Sequence, residues 1–176
     1  MISGKAQHGK DTTAQFLGEC MEMDGLKALR VAFADYVKFI CAAYYHWTGE
    51  KDEAGRQLLQ FVSTELFRAR DTDFWADTVI RFLKILWNDY DYALIPDFRF
   101  PNEFFRWQEF GVRDVVTVRV ERPGFENNLT REQRQHASET SLDNFPFDYR
   151  LAAEDVNALE KQCARLFVAL KSRIIP

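Results

Sequence analysis

The sequence predicts a three-layer α/β fold, a parallel β-sheet with helices on both faces. Two patterns predict it. Short apolar strand-like segments alternate with longer segments of helical periodicity along the whole chain, and that alternation builds parallel strand–helix–strand units. A glycine-bounded loop also separates the first strand-like segment from the first helix, the connection found at the carboxyl edge of parallel sheets.

Met1-Ile2-Ser3 is extended and Gly4 to Gly9 is a loop. Ala14, Leu17, Cys20 and Met21 recur at helical steps, which predicts a helix over 10–23, stopped by Gly25. Leu29, Val31 and Phe33 alternate as a second strand. A helix follows over 35–47 and Thr48-Gly49 breaks it. The next spans 53–70 with Leu59, Val62, Leu66 and Ala69 on its inner face. Another starts after Asp73 as N-cap and carries Trp75, Val79, Phe82, Leu83 and Leu86. Tyr92 to Ile95 is a continuous apolar strand ending at Pro96-Asp97. A short helix over 104–110 and a fourth strand over 115–120 come next. The stretch 121–144 is charged, lacks a core pattern, and reads as a long loop or flap; such loops in compact domains tend to be functional. Tyr149 to Ala152 is a fifth strand, and Val156, Leu159, Cys163, Leu166 and Leu170 define the closing helix.

A length of 176 residues fits one domain. The chain is 47% hydrophobic and 28% charged, which excludes a disordered or collagen-like polymer. Its net charge of −4 argues against a general nucleic-acid or membrane-surface binder, which needs a basic excess. Cys20, Cys41 and Cys163 are far apart and predict reduced thiols rather than a disulfide frame or a metal knuckle. The sequence holds neither a membrane-length apolar run nor a signal-peptide core, so a cytoplasmic location is expected.

The chemistry concentrates in three places. Gly4-Lys5-Ala6-Gln7-His8-Gly9-Lys10-Asp11-Thr12 is a Gly-x4-Gly-Lys loop between strand and helix. Its glycines let backbone N–H groups turn inward, the helix points its positive end at the same place, and Lys10 adds a cation, so the loop suits a polyphosphate. The plainer alternative is a glycine turn that caps a helix. Asp97-Phe98-Arg99 sits where an internal strand ends, placing a carboxylate for Mg²⁺ and a guanidinium for a phosphate at the sheet edge. Alternatively Asp97 is a helix cap and Arg99 a surface ion pair. Arg119, Arg122, Arg131 and Arg134 cluster in or beside 121–144, either as solvated charge or as lid cations that arrive when a site closes. His8, His46 and His136 lack metal-ligand spacing, and no nucleophile elbow or Cys–His pair is present.

Further segments complete a pattern: Phe33-Ala34-Asp35 with Lys38; Arg56-Gln57-Leu58-Leu59-Gln60 followed by Thr64-Glu65 and Arg68; and Asp73-Phe74-Trp75. Asp97 to Glu103, His136-Ala137-Ser138-Glu139-Thr140, Leu142-Asp143 and Phe147-Asp148 extend it. With these the chain resembles, nearly end to end, the deoxynucleoside monophosphate kinases of bacteriophages and prophages, P-loop enzymes of the adenylate-kinase class. Animal-type phosphomevalonate kinase shares the Gly-Lys-Asp loop and a Ser-Glu…Leu-Asp-Asn-Phe segment, and is the nearest rival.

The resemblance implies a P-loop NTPase fold with a five-stranded parallel sheet, an acceptor-binding helical region at about 35–88 and a lid at about 121–144. It implies ATP and Mg²⁺, with Gly4, Lys5, Ala6, Gln7, His8, Gly9, Lys10, Asp11 and Thr12 around the donor. Lys10, Arg99 and Arg122 are the implied catalytic cations. Asp35, Lys38, Gln60, Arg68, Trp75 and Arg99 are the implied acceptor residues, and Asp11 with Asp97 the metal carboxylates. The expected activity is transfer of the γ-phosphoryl of ATP to a deoxynucleoside 5′-monophosphate. The alternatives are a phosphomevalonate-type kinase and an inactive nucleotide-binding module. Two departures stand out. Only Met1-Ile2-Ser3 precede Gly4, which predicts a start upstream or missing first residues; and Tyr149 to Ala153 lacks the Asn that relatives place near adenine.

Overall fold

The computed structural model describes residues 1–50, 52–112 and 114–174 of an α/β chain. Its elements run β1 (Ile2–Ser3), α1 (Lys10–Met23), β2 (Ala28–Arg30), α2 (Phe33–Tyr45) and α3 (Glu53–Gln60). A wider-wound π segment, Phe61–Arg68, continues α3, and α4 (Phe74–Ile85), β3 (Tyr92–Leu94) and α5 (Pro101–Glu109) follow. The chain ends with β4 (Val118–Glu121), α6 (Arg131–Gln135), α7 (Ala137–Thr140), β5 (Tyr149–Ala152) and α8 (Val156–Ile174).

α1 occupies the expected span because Ala14, Leu17 and Met21 share a buried face and Gly25 adopts the left-handed φ of 77° beyond its end. Phe33 differs from expectation. It opens α2 rather than closing β2, because Ala32 is the cap and Asp35 reaches back to the Ala32 N–H at 3.1 Å. The predicted helix over 53–70 splits at Phe61, and of its four expected inner residues only Val62 is fully buried. Pro101 starts α5 three residues earlier than the apolar pattern suggests, its missing N–H costing nothing at the first helical position.

Every strand pair is parallel, but the strands form two ladders. β4 lies between β1 and β5, with Ile2 opposite Val118 and Val118 opposite Tyr149. β2 pairs with β3, Ala28 opposite Tyr92. The continuous five-stranded ladder expected from the sequence is thus divided. β1 touches the β3 side through one residue: the Ile2 N–H donates to Ile95 O (2.7 Å), and Ile2 O accepts from the Phe98 N–H (3.2 Å). Beyond Met1 the ladders part around a cavity of about 930 Å³, lined by Leu17, Tyr92, Leu94, Trp107, Val116 and Leu170 among others.

Two cores follow from this division. Ile2, Leu17, Met21, Val118, Val120, Leu151, Cys163 and Leu166 pack α1 and α8 against β1, β4 and β5. Val31, Phe33, Val37, Cys41, Val62, Trp75, Val79 and Ile80 pack α2, the π segment and α4 beside Ile95 and Trp107. A third, smaller cluster of Phe98, Leu142 and Phe145 lies just past the end of β3. Among the described residues no helix is long and apolar enough to cross a membrane.

Candidate functional site

The loop from Gly4 to Gly9 owes its shape to its glycines. A Cβ on Gly4 would lie 2.5 Å from Val120 O, so only glycine permits this approach to β4. Gly9, the N-cap of α1, has φ 95°, and Gln7 also adopts a left-handed φ of 64°. These left-handed residues fold the loop over the start of α1, whose first-turn N–H groups have no intrahelical acceptors. Thr13 is fully buried and its hydroxyl donates to Gly9 O at 2.9 Å, fastening the loop to the helix.

Lys10 is 8% exposed and folds back on the loop, its Nζ donating to Gly4 O at 2.9 Å and Lys5 O at 2.8 Å. Burial, then the Arg99 charge, pushes its pKa down to about 7. Two carbonyls therefore hold a cation that titrates near neutrality. The His8 ring is shifted downward too, by burial first and then by Lys10 and Arg119.

The segment 121–144 lies along this loop. The Asn128 N–H donates to Gln7 Oε1 at 3.4 Å, and the Arg122 N–H donates to His8 Nδ1 at 3.2 Å. The Arg122 guanidinium stacks 4.4 Å from the Phe125 ring centroid and donates to Glu154 O, so it packs on its own segment and on Glu154. Lys5 pairs with the Asp143 carboxylate, and Arg119 links Ser3 Oγ (3.3 Å) to Asp143 (3.4 Å). Glu139 on α7 reaches furthest in, accepting from the Ala6 N–H at 2.9 Å and pairing with Arg99.

At the end of β3, Asp97 is half-buried and accepts from the Phe33 and Ala34 N–H groups at 3.1 and 2.8 Å. Burial raises its pKa, with those two bonds opposing the shift. Its first role is thus to cap α2, the alternative that the sequence leaves open. Asp11 is exposed and pairs with Arg30 at 2.7 Å, and Arg30 also approaches Asp35 at 3.7 Å. Among the described residues no group of three or more His, Cys, Asp or Glu converges as a metal cluster. Asp11 and Asp97 do both lie close enough to Lys10 to influence its charge.

The expected acceptor residues divide. Asp35 and Lys38 pair at 2.9 Å beside Asp97, and Arg68 and Arg99 both belong to the network around Glu103. Gln60 closes α3, its carbonyl accepting from Ser63 Oγ at 3.2 Å. Trp75 departs from expectation: it is 1% exposed, packs against Phe67 and Phe74, and donates its indole N–H to Ser63 O at 3.0 Å. The ring is enclosed by core neighbours and has no exposed face.

Glu103 and Glu139 have no individual role in the sequence pattern. Glu103 is 1% exposed, binds the Arg99 and Phe100 N–H groups at 2.8 and 3.1 Å, and meets Arg68 at 2.5 Å. It is the third residue of α5, where a carboxylate can reach back to the N–H of the cap residue Phe100. Nothing local marks Glu139, because its partners lie more than a hundred residues earlier at Ala6 and forty earlier at Arg99. The chain matches no protein-family model and no curated protein.

Proposed function

We propose that the protein is a phosphotransferase that moves the γ-phosphoryl of ATP to a deoxynucleoside 5′-monophosphate. The observation that carries this reading is the loop itself: a glycine pressed on Val120 O, a left-handed Gly9 at the head of α1, and a buried lysine held by two loop carbonyls. Backbone N–H groups and a mobile cation there suit the β- and γ-phosphates of a nucleotide. Ile2 hydrogen-bonds on one side to Ile95 and Phe98 while β1 pairs with β4 on the other, so the strand order traces β2-β3-β1-β4-β5, which supports a P-loop NTPase fold. The choice of a nucleotide acceptor rests on the sequence resemblance.

In this reading Lys10 leaves the Gly4 and Lys5 carbonyls for the donor's phosphates, and Arg99 and Arg68 face the acceptor's phosphate. The reaction forms a bond between an acceptor phosphate oxygen and the γ-phosphorus and breaks the bond to the β–γ bridging oxygen, leaving ADP. The attacking oxygen is already anionic, so no general base is required, and positioning with charge neutralisation supplies the catalysis. Asp11, with exposed oxygens, and Asp97, through bound water, would hold Mg²⁺, whose contribution is to neutralise phosphate charge.

One observation favours a second reading, an inactive nucleotide-binding module. Both oxygens of Asp97 are engaged by backbone N–H groups, and Arg30 neutralises Asp11. An ADP-release assay over a panel of nucleoside monophosphates and small phosphorylated acceptors separates the readings. Turnover with a deoxynucleotide supports the first, and ATP binding without turnover on any acceptor supports the second. Turnover with a mevalonate phosphate alone would move the acceptor to a different class.

A further inference from the structure

Glu139 is a carboxylate in a place built for an anion. Its side chain is 7% exposed, with Oε2 on the Ala6 N–H at 2.9 Å and Oε1 on the Arg99 guanidinium. A loop N–H and a guanidinium are the groups that a phosphate oxygen would use. Lys10 and His8 lie within electrostatic reach of the same carboxylate. The backbone around it is fastened by the same cations. Lys5 Nζ donates to Glu139 O at 2.5 Å and Arg99 Nη1 to Ser138 O at 2.9 Å, while Lys5 also pairs with Asp143.

Lys5, Ala6 and Arg99 therefore serve two purposes in this chain. They dock α7 on the loop, and they belong to the set that would hold the substrates' phosphates. A polyphosphate entering the loop cannot share the Ala6 N–H and the Arg99 guanidinium with a carboxylate, because two anions would then meet at hydrogen-bonding distance in a half-buried site.

Building on the polyphosphate reading of the loop, we propose that Glu139 is an internal anion that plugs the site, and that the donor's phosphates displace it, lifting α7 and releasing Arg99 for the acceptor. The device keeps the cations neutralised while the site is empty, so they need no bulk counter-ion. It also orders the substrates, since Arg99 becomes available only after the donor has entered.

Calorimetric titration with inorganic tripolyphosphate and with ATP, on the full chain, tests this. Glu139→Gln keeps the side chain's shape and removes its charge, and should bind tripolyphosphate about 10- to 100-fold more tightly than wild type, the range set by a charge-assisted hydrogen bond. Asp143→Asn removes a neighbouring negative charge without opening the plug, and should gain less than about threefold, as expected for a partly exposed pair. Equal gains in both variants would reduce the effect to general field and overturn the plug. Wild-type binding with no gain in Glu139→Gln overturns the plug alone. No binding by any of the three proteins overturns the polyphosphate reading and the plug with it. If Glu139→Gln fails to fold, Glu139→Asp retains the charge but draws it back from Ala6 by one methylene. It should then bind several-fold more tightly than wild type, and an unchanged affinity would overturn the proposal.

Discussion

The two halves of the site are held together in opposite ways. Past the end of β3 one cluster is sealed: Glu103 is 1% exposed and Arg68's side chain 13%, and Asp97 is fixed on two backbone N–H groups. Around the loop Lys10 and Glu139 are buried, but the other ion pairs are looser, Lys5 and Asp143 having side chains 30% and 44% exposed and Asp11 78%. Buried pairs are costly to break, whereas exposed ones contribute little and exchange readily. The contrast teaches that the cluster around Glu103 is preformed by its core, while much of the loop half is assembled from contacts that a ligand can replace. Substitutions on either side can break that contrast.

The largest effect should come from the sealed half. Glu103→Ala leaves Arg68 without its partner and frees the Arg99 and Phe100 N–H groups. Loss of one member of a buried pair costs about 3–5 kcal/mol, which urea denaturation would read directly. A loss below about 1 kcal/mol, typical of exposed pairs, would break the comparison.

Lys10→Ala comes next and should act on turnover rather than folding. Lys10 bonds only to loop carbonyls 5 and 6 residues away and supports no core. Removing one preorganised charge donor lowers rate by about 10²–10³-fold. The assay of ADP release, with thermal melting as the folding control, checks both halves of the statement; a near-wild-type rate would end the P-loop assignment.

This asymmetry also explains what the sequence made legible. α1, β5 and α8 follow from local signals, the spacing of Ala14, Leu17 and Met21 or of Leu159, Cys163 and Leu166, and so does the loop. Phe33 misleads because alternation at Leu29, Val31 and Phe33 mimics a strand, while the contacts at the helix start come from Asp35 and, far along the chain, from Asp97. The division of the sheet into two ladders is a matter of strand pairing, which no periodicity encodes. Trp75 is legible in the sequence as part of the inner face of α4, but its enclosure depends on Phe67 in the π segment, which local pattern does not reveal. Glu139 was legible only as part of a motif, because its role lies in contacts with Ala6 and Arg99.

A milder effect sharpens the description of the loop half. The pKa of Lys10 is about 7 in the folded chain against an ordinary lysine value of 10.5, so the folded state binds fewer protons than the unfolded one between those values. Stability should therefore rise with pH across that window and flatten below it. Nucleotide binding should run the other way. Phosphates favour the ammonium, so above pH 7 a proton must be taken up on binding, and ATP affinity should fall by up to about tenfold per pH unit. Titration calorimetry in buffers of different ionisation enthalpy detects that uptake, and Lys10→Ala should abolish it. Uptake that persists in the variant would assign it to another group, with His8 the first to examine.

The smallest effect belongs to Asp11. It stands in the first turn of α1, where a carboxylate gains from the positive helix end, and Arg30 already holds it at 2.7 Å on the surface. Asp11→Asn should therefore shift stability by no more than about 0.5 kcal/mol, as exposed substitutions do. Its effect on binding depends on the metal. Without Mg²⁺ the carboxylate repels incoming phosphates, so the variant should bind metal-free ATP a few-fold more tightly. With Mg²⁺ the cation lies between the charges and the carboxylate becomes an asset, so the variant should lose most of that gain. ATP affinity measured for both proteins with and without Mg²⁺ gives the four values needed. A metal-dependent difference assigns Asp11 to a magnesium site; the same ratio in both conditions reduces it to a helix-start residue paired with Arg30.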